Sequence, residues 1–320
     1  MRIAFCGTPE IAVPSLKRLV AEPGFTVETV ITQPDRPRGR GGAVQAPPVK
    51  TAALEMDLHV FQPEKIKSDS AYSFLQKLAP DVVVIIAYGQ IVPQRLIEIP
   101  RLGWINLHAS LLPKYRGAAP INWAIANGET RTGLTTMQID AGLDTGPMLL
   151  RWETEIGADE TAPELAGRMA EAGAPLVVQT LQQLAASQIT PQPQDHAQHS
   201  LARILKKEDG RIDWNQPAPV IYNRMRGFAP WPGAYTTFRG QTCHVWGRPV
   251  CPSPAPPATS NRAQPVAAGT LVGQHDDWLV ACDGDTWLAL REVQLEGRKR
   301  VTARDFANGA RLQNDERFGA

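Results

Sequence analysis

Cysteine is scarce in this chain. Its 320 residues hold four, Cys6, Cys243, Cys251 and Cys282, and no two of them form a C-x-x-C pair. That spacing excludes a zinc knuckle and fits a reduced intracellular chain better than a disulfide scaffold. Long apolar runs are missing as well. The longest, Val82 to Ala87, has the length of a strand, far short of the ~20 residues that span a bilayer. Met1-Arg2-Ile3-Ala4-Phe5 is too short an apolar opening for a signal peptide, with Glu10 and Lys17 close behind. A cytoplasmic location without membrane association is expected. No charge sign dominates: 33 Lys and Arg face 32 Asp and Glu, for a formal net charge of +1. Any polyanion must therefore be held by local patches. Residues 206–320 lean slightly basic, with 15 Lys and Arg against 12 Asp and Glu, and residues 1–205 lean acidic, with 18 against 20.

Several familiar motifs are absent too. Gly7-Thr8-Pro9-Glu10 lacks both G-x-G-x-x-G and a Walker lysine, and reads as a strand-to-helix turn. Ser110 has no G-x-S-x-G setting. His59, His196, His199, His244 and His275 show no metal-ligand spacing. These absences favour a metal-free chemistry without a covalent intermediate.

Strand and helix patterns alternate through the first 186 residues. Ile3–Cys6, Val27–Thr32, His59–Phe61, Val82–Ala87 and Ile105–His108 read as strands. Pro14–Val20, Pro48–Met56, Ala71–Leu78 and Ala119–Asn127 read as helices. Gly133–Asp140 and Met148–Glu155 look like a strand pair, and Pro163–Ala186 like a long amphipathic helix. Near-continuous apolar strands between helices predict an α/β domain, with a mostly parallel sheet covered on both faces. The polar stretch Ser187–His199 has little to bury and reads as a linker, set at 187–206. From 207 to 320 the pattern changes. Tyr235–Phe238, Thr242–Trp246, Gly269–Val272, Trp278–Ala281 and Trp287–Val293 are short strands between turns, as in a small barrel or sandwich. Arg248–Pro265, rich in Pro, Ala and Ser, is expected to be a mobile surface loop.

The chemistry concentrates between residues 104 and 146. Trp104-Ile105-Asn106-Leu107-His108 alternates, so Asn106 and His108 share one face of a strand that Pro113 then ends. Gly142-Leu143-Asp144-Thr145-Gly146 carries an acid between glycines. Each residue has a plain structural reading: His108 as a packed or capping residue, Asn106 as a strand-end hydrogen bonder, Asp144 as a turn residue. Together, an amide, an imidazole and a carboxylate can steer attack on a carbonyl carbon. In parallel sheets ligands bind at the carboxyl ends of strands, where Asn106 and His108 stand.

Asn106-Leu107-His108-Ala109-Ser110-Leu111-Leu112-Pro113, Tyr115-Arg116-Gly117-Ala118-Ala119-Pro120 and the Gly142–Gly146 loop resemble the 10-formyltetrahydrofolate-dependent formyltransferases. Gln33–Gly41, Ala87-Tyr88-Gly89, Gly210-Arg211-Ile212-Asp213-Trp214 and Phe228-Ala229-Pro230-Trp231-Pro232-Gly233 are similar to the methionyl-tRNA formyltransferases among them. The resemblance implies a Rossmann-like formyltransferase domain at 1–186 and an OB-like, tRNA-binding barrel at 207–320. It implies Asn106, His108 and Asp144 as the catalytic set. It places folate against Ser110, Leu111, Leu112 and Pro113, with Ala87, Tyr88 and Gly89 near the pterin. The cosubstrate would be 10-formyltetrahydrofolate, with no metal. The acceptor would be the α-amino group of methionyl initiator tRNA, for translation initiation, and a monomer is expected.

Arg36-Pro37-Arg38-Gly39-Arg40-Gly41-Gly42 reads as a mobile cationic loop or, more plainly, a solvated one. The resemblance sends it into the tRNA acceptor arm, with Arg40 as the matching arginine. This chain has Gly41-Gly42-Ala43 where lysines often follow, which lowers the local charge. Lys206, Lys207, Arg298, Lys299 and Arg300 are further phosphate-contact candidates. An aminosugar nucleotide formyltransferase is the nearest rival, since it pairs a similar catalytic domain with a small barrel. A non-catalytic RNA-binding module is a second, opposed by the complete Asn, His and Asp set.

Overall fold

The computed structural model describes residues 1–38, 42–250, 266–274 and 277–319. These residues divide into two compact units. One comprises Met1–Ile121, Arg131–Ile156 and Glu164–Ile204; the other comprises Asn122–Thr130, Gly157–Pro163 and Leu205–Ala320.

In chain order the first elements are β1 (Arg2–Gly7), α1 (Val13–Ala21), β2 (Thr26–Ile31), β3 (Arg36–Arg38), β4 (Ala43–Gln45), α2 (Pro48–Glu55), β5 (Val60–Phe61) and α3 (Asp69–Leu78). There follow β6 (Val82–Ile86), α4 (Gln94–Ile97), β7 (Trp104–His108), α5 (Pro120–Ala126), β8 (Arg131–Gln138), β9 (Met148–Glu155) and α6 (Ala162–Ala185). Seven strands form the sheet of the first unit, in the order β5-β2-β1-β6-β7-β8-β9. The first five run parallel, and β8 and β9 are antiparallel. The apolar runs explain the centre: Ile3–Cys6, all of β6 and all of β7 are buried. Strands covered on both faces run largely apolar, because an unpartnered polar side chain on either face would be desolvated.

The chain steps from β1 to β2 on one side and reaches β6 on the other. The carboxyl ends of β1 and β6 therefore flank a topological switch point, the usual ligand crevice of such sheets. β7 lies next to β6, with Val83 opposite Trp104 and Ile85 opposite Asn106. Trp104, Asn106 and His108 thus share the face packed by α3 and α4. Trp104 is fully buried in a cluster with Leu75 and Leu96, and its Nε1 donates to the Leu96 carbonyl at 2.8 Å. Leu107 points to the opposite face. There α6 passes so close that a Cβ on Gly173 would sit 2.5 Å from the Leu107 Cδ2.

The second unit adds α7 (Ala218–Gly227), β10 (Tyr235–Phe238), β11 (Gln241–Pro249), β12 (Leu271–Gln274), β13 (Asp277–Ala281), β14 (Trp287–Leu295), β15 (Val301–Thr302) and α8 (Ala303–Ala310). The strands pair antiparallel in the order β10-β11-β14-β13-β12, with β15 on β14. Burial alternates along β11, with Cys243 and Val245 inward and His244 and Trp246 half-buried outside, as expected for a sheet with one wet face. Trp214, Phe238, Val245, Leu290, Phe306 and Phe318 fill the core. The last residues draw the two edges together. Leu271 N donates to Glu316 O and Phe318 N to Gly269 O on the β12 side, while Gly319 N donates to Thr237 O on β10. The result is a small barrel-like domain.

Three local expectations change. Arg36–Arg38 is not loop but one arm of a short hairpin, paired with Ala43–Gln45. Arg248 and Pro249 continue β11 past a bulge at Trp246/Gly247 rather than opening a loop; residues 251–265 lie outside the described residues. The polar stretch 187–204 packs with the first unit, because its side chains and backbone supply hydrogen bonds that buried loops there need.

Candidate active site

β7 turns polar only at its end. Asn106 is 9% exposed and His108 5%, on the same face as the fully buried Trp104. The His108 Nε2 lies 2.9 Å from the Tyr115 carbonyl oxygen. A carbonyl only accepts, so Nε2 carries the proton and the ring's variable nitrogen is Nδ1. Nδ1 faces the Asp144 Oδ2 at 3.6 Å, a distance for an ion pair rather than a direct hydrogen bond. Among the described residues the Asn106 side chain forms no hydrogen bond, so its N–H donors stand uncommitted beside the imidazole.

Asp144 arrives by an indirect route. β8 is antiparallel to β7 and ends with Gln138 opposite Ile105. The following loop must fold back along the sheet face, across roughly 10 Å, to reach His108. Asp140 Oδ1 closes the turn by accepting from Gly142 N at 3.0 Å and Thr145 Oγ1 at 2.7 Å. A Cβ on Gly146 would sit 2.0 Å from the Gln138 carbonyl oxygen, so no side chain fits there without moving backbone. Asp144 itself has φ of 51°, in the left-handed region. Its Oδ2 accepts from Gly117 N at 2.8 Å. The Gln194 Nε2 donates to the Asp144 carbonyl at 2.9 Å and the Gly146 carbonyl at 2.7 Å.

The loop after β7 is fastened to β8. The Thr135 Oγ1 donates to Ser110 O at 2.7 Å and accepts from Leu112 N at 3.2 Å. Ser110 Oγ donates to Lys114 O at 2.6 Å, and Arg151 Nη2 donates to Leu112 O at 2.5 Å. Ser110 and Leu112 are buried, whereas Leu111 and Pro113 are half-buried. A ligand along this loop would meet backbone and the latter two residues rather than the Ser110 hydroxyl. At the end of β6, Ala87 (φ 48°) and Gly89 (φ 87°) turn the backbone sharply. The Tyr88 ring points inward, 2% exposed, and burial pushes its hydroxyl far above the ordinary value. Only the Tyr88 carbonyl faces polar groups, Thr8 Oγ1 at 3.1 Å and Gln33 Nε2 at 3.2 Å. The outer surface of this tip is therefore Ala87 and Gly89.

The candidate RNA contacts lie apart in the chain. In the first unit Arg36 is exposed on the β3–β4 hairpin, 3.7 Å from Glu64. The hairpin's base is latched by Asp35, which accepts from Lys50 Nζ at 2.7 Å and Gln62 Nε2 at 2.8 Å. The Arg38 side chain and Arg40 lie outside the described residues. In the second unit Lys206 and Lys207 enter a short 3-10 turn, and Arg298 and Lys299 are exposed between β14 and β15. Arg300 stacks over the Trp246 ring at 3.9 Å and pairs with Glu292. His244 is pushed below its usual value by burial and then by the nearby Lys207 ammonium.

Burial raises the thiols of Cys6, Cys243 and Cys282, the latter two to about 12, so none of these three is a ready nucleophile. Two cavities, of about 400 and 370 Å³, lie away from Asn106, His108 and Asp144: one beside Arg211 and Arg224 in the second unit, one at the start of β7. Sequence reasoning missed Thr135 and Gln194. Thr135 stood in a strand with nothing to mark it, and Gln194 stood in a stretch whose composition suggested solvent.

A strand-tip amide and imidazole thus stand near a loop carboxylate on a Rossmann-like sheet, an arrangement whose groups suit acyl transfer. The formyl transferase model matches residues 1–181 and the formyl transferase C-terminal domain model matches residues 204–311. The chain belongs to the methionyl-tRNA formyltransferase family. The methionyl-tRNA formyltransferase of Solibacter usitatus is 54% identical over 320 residues, covering 100% of this chain and 99% of the relative. That of Koribacter versatilis is 50% identical over 324 residues, with the same coverage. Among solved structures, WlaRD, a sugar 3N-formyl transferase with dTDP and 5-N-formyl-THF, aligns with a TM-score of 0.63 at 16% identity, over 93% of this chain and 99% of its own. HypX from Aquifex aeolicus with tetrahydrofolic acid aligns at 0.60 and 15%, over 96% of this chain and 47% of its own. At such identities these two speak for the fold alone.

Proposed function

We propose that this formyltransferase moves a formyl group from 10-formyltetrahydrofolate to the α-amino group of methionyl initiator tRNA, the modification that marks the first aminoacyl-tRNA of translation. The observation that carries the reading is the shared face of Asn106 and His108, with the Asp144 carboxylate 3.6 Å from the imidazole. The donor supplies an activated formyl carbon. The strand-tip crevice suits it: an uncommitted Asn106 amide, and sharply turned backbone at Ala87 and Gly89 that leaves little side chain in the way.

In this reading Asn106 donates a hydrogen bond to charge developing on the formyl oxygen, a contribution of ~3 kcal/mol in comparable sites. His108 takes part through Nδ1, because Tyr115 O already holds the Nε2 proton. Asp144 stabilises charge on that ring and relays the proton lost by the attacking amine, through water at its Oδ1, to N10 of the departing tetrahydrofolate, since Oδ2 is bound to Gly117 N. Arg36, Arg38, Arg40, Lys206, Lys207, Arg298, Lys299 and Arg300 contact RNA phosphates, so tRNA binding weakens steeply with salt. The enzyme acts as a cytoplasmic monomer.

The test is direct: incubate the protein with 10-formyltetrahydrofolate and either Met-tRNA or a dTDP-aminosugar. Formyl-Met-tRNA should form rapidly and the formylated sugar should not. Formyl transfer to the sugar alone would overturn the proposal.

A further inference from the structure

We infer that Gln194 is a positioning residue for Asp144, acting through a buried clamp with Arg116. Gln194 is 5% exposed and Arg116 4%. The Gln194 Oε1 accepts from Arg116 Nε at 3.0 Å and Nη2 at 2.6 Å. A guanidinium so buried needs its donors satisfied. Beside the Gln194 amide oxygen, Nη2 also donates to the His196 Nδ1 at 3.1 Å. The same amide spends its Nε2 on the carbonyls of Asp144 and Gly146, one on either side of Thr145. A cation on the acceptor end polarises an amide and strengthens its N–H donors. The Arg116 charge is thereby relayed into the grip on the loop.

That grip matters because Asp144 sits at φ 51°. A non-glycine residue in the left-handed region persists only where its surroundings over-determine it. Two tethers do so here. Gln194 holds the backbone, and Gly117 N holds the carboxylate. Both start from one strip, since Arg116 N bonds Ser200 O and Ala202 N bonds Arg116 O. Residues 116–117, 144–146 and 194–202 form one hydrogen-bonded block, and its output is the distance from Asp144 to His108. A stretch with the composition of a linker thus sets the geometry of the reaction centre.

The inference rests on the proposed pairing of Asp144 with His108, and the test separates the two. Q194M, Q194E, D144N, D144N/Q194M and D144N/Q194E are assayed as full-length protein for formyl transfer to Met-tRNA. Q194E keeps the side chain's volume and an acceptor for Arg116 but sets an oxygen against two carbonyls. It carries the test if Q194M fails to fold. Both Gln194 variants should lose ~10–100-fold in kcat, with KM for tRNA within about 2-fold. In the D144N background the further loss should shrink to about 2-fold or less, because the residue acts through Asp144. A merely structural residue would cost the same factor in both backgrounds, and that result overturns the inference. So does parental kcat in the Gln194 variants when D144N is crippled. Parental kcat in D144N overturns the role of Asp144 itself, and both readings with it.

Discussion

The strand half and the loop half of the site are held in opposite ways. Asn106 and His108 stand on β7, between two hydrogen-bonded neighbours and buried from end to end. Their direction follows from the two-residue period and from Trp104 and Leu107 being anchored in the layers on either face. Asp144 stands in a turn with no sheet partners, in a left-handed conformation, and is held by groups 27 and 50 residues away. A strand tip is positioned by the bulk of the core. A loop acid is positioned by a few hydrogen bonds, each of which can be removed singly. The strand half should therefore lose chemistry without losing structure, and the loop half should lose geometry first.

The largest effect tests the strand half. N106A or H108A should lower formyl transfer by ~10²–10³-fold with circular dichroism unchanged; H108A, which also removes the donor to the Tyr115 carbonyl, should melt somewhat lower. Near-normal turnover in either variant would remove that residue from the mechanism. The loop half is challenged by G146A, whose new Cβ meets the Gln138 carbonyl oxygen at 2.0 Å. Backbone must shift, so kcat should fall ~100-fold while folate binding by the 109–113 loop persists, read by fluorescence titration. T135V sharpens the contrast, because Thr135 fastens that loop to the sheet. Orphaning a buried amide should cost about 1–3 kcal/mol in unfolding free energy and raise KM for the folate more than it lowers kcat. The smallest effect concerns the hairpin base. Hydrogen bonding from Gln62, then from Lys50, holds the Asp35 carboxyl below the usual carboxylate range. Its contribution is complete above the unfolded value of about 3.9 and drains away as pH falls through the lowered folded value. Hydrogen exchange at residues 43–45 should quicken over that acid range in the parent, and D35N should abolish the dependence.

Much of the frame was legible in residue pattern. A short, β-branched apolar run such as Val82–Ile86 reads as a strand buried on both faces, and the alternation through Trp104–His108 already put amide and imidazole on one side. The hairpin at Arg36–Arg38 was not legible, because Arg, Pro and Gly carry strong turn propensities and the pairing with Ala43–Gln45 is decided by geometry. Nor was the extension of β11 through Arg248 and Pro249, which depends on partners in β14. The burial of Gln194 was invisible for the same reason: nothing in Gln-Pro-Gln says that a guanidinium 78 residues away waits for its amide.

By itself, then, the order of residues determined the parallel sheet, the small β domain after it, and the side of β7 that carries Asn106 and His108. Those are consequences of periodicity and local apolar content, which act between near neighbours. Only the tertiary structure decided that His108 presents Nδ1 rather than Nε2, that Asp144 reaches it from the far end of the strand, and that Arg116 and Gln194 hold it there. Such choices are made by single hydrogen bonds between distant segments, and those exist only once the chain has closed on itself.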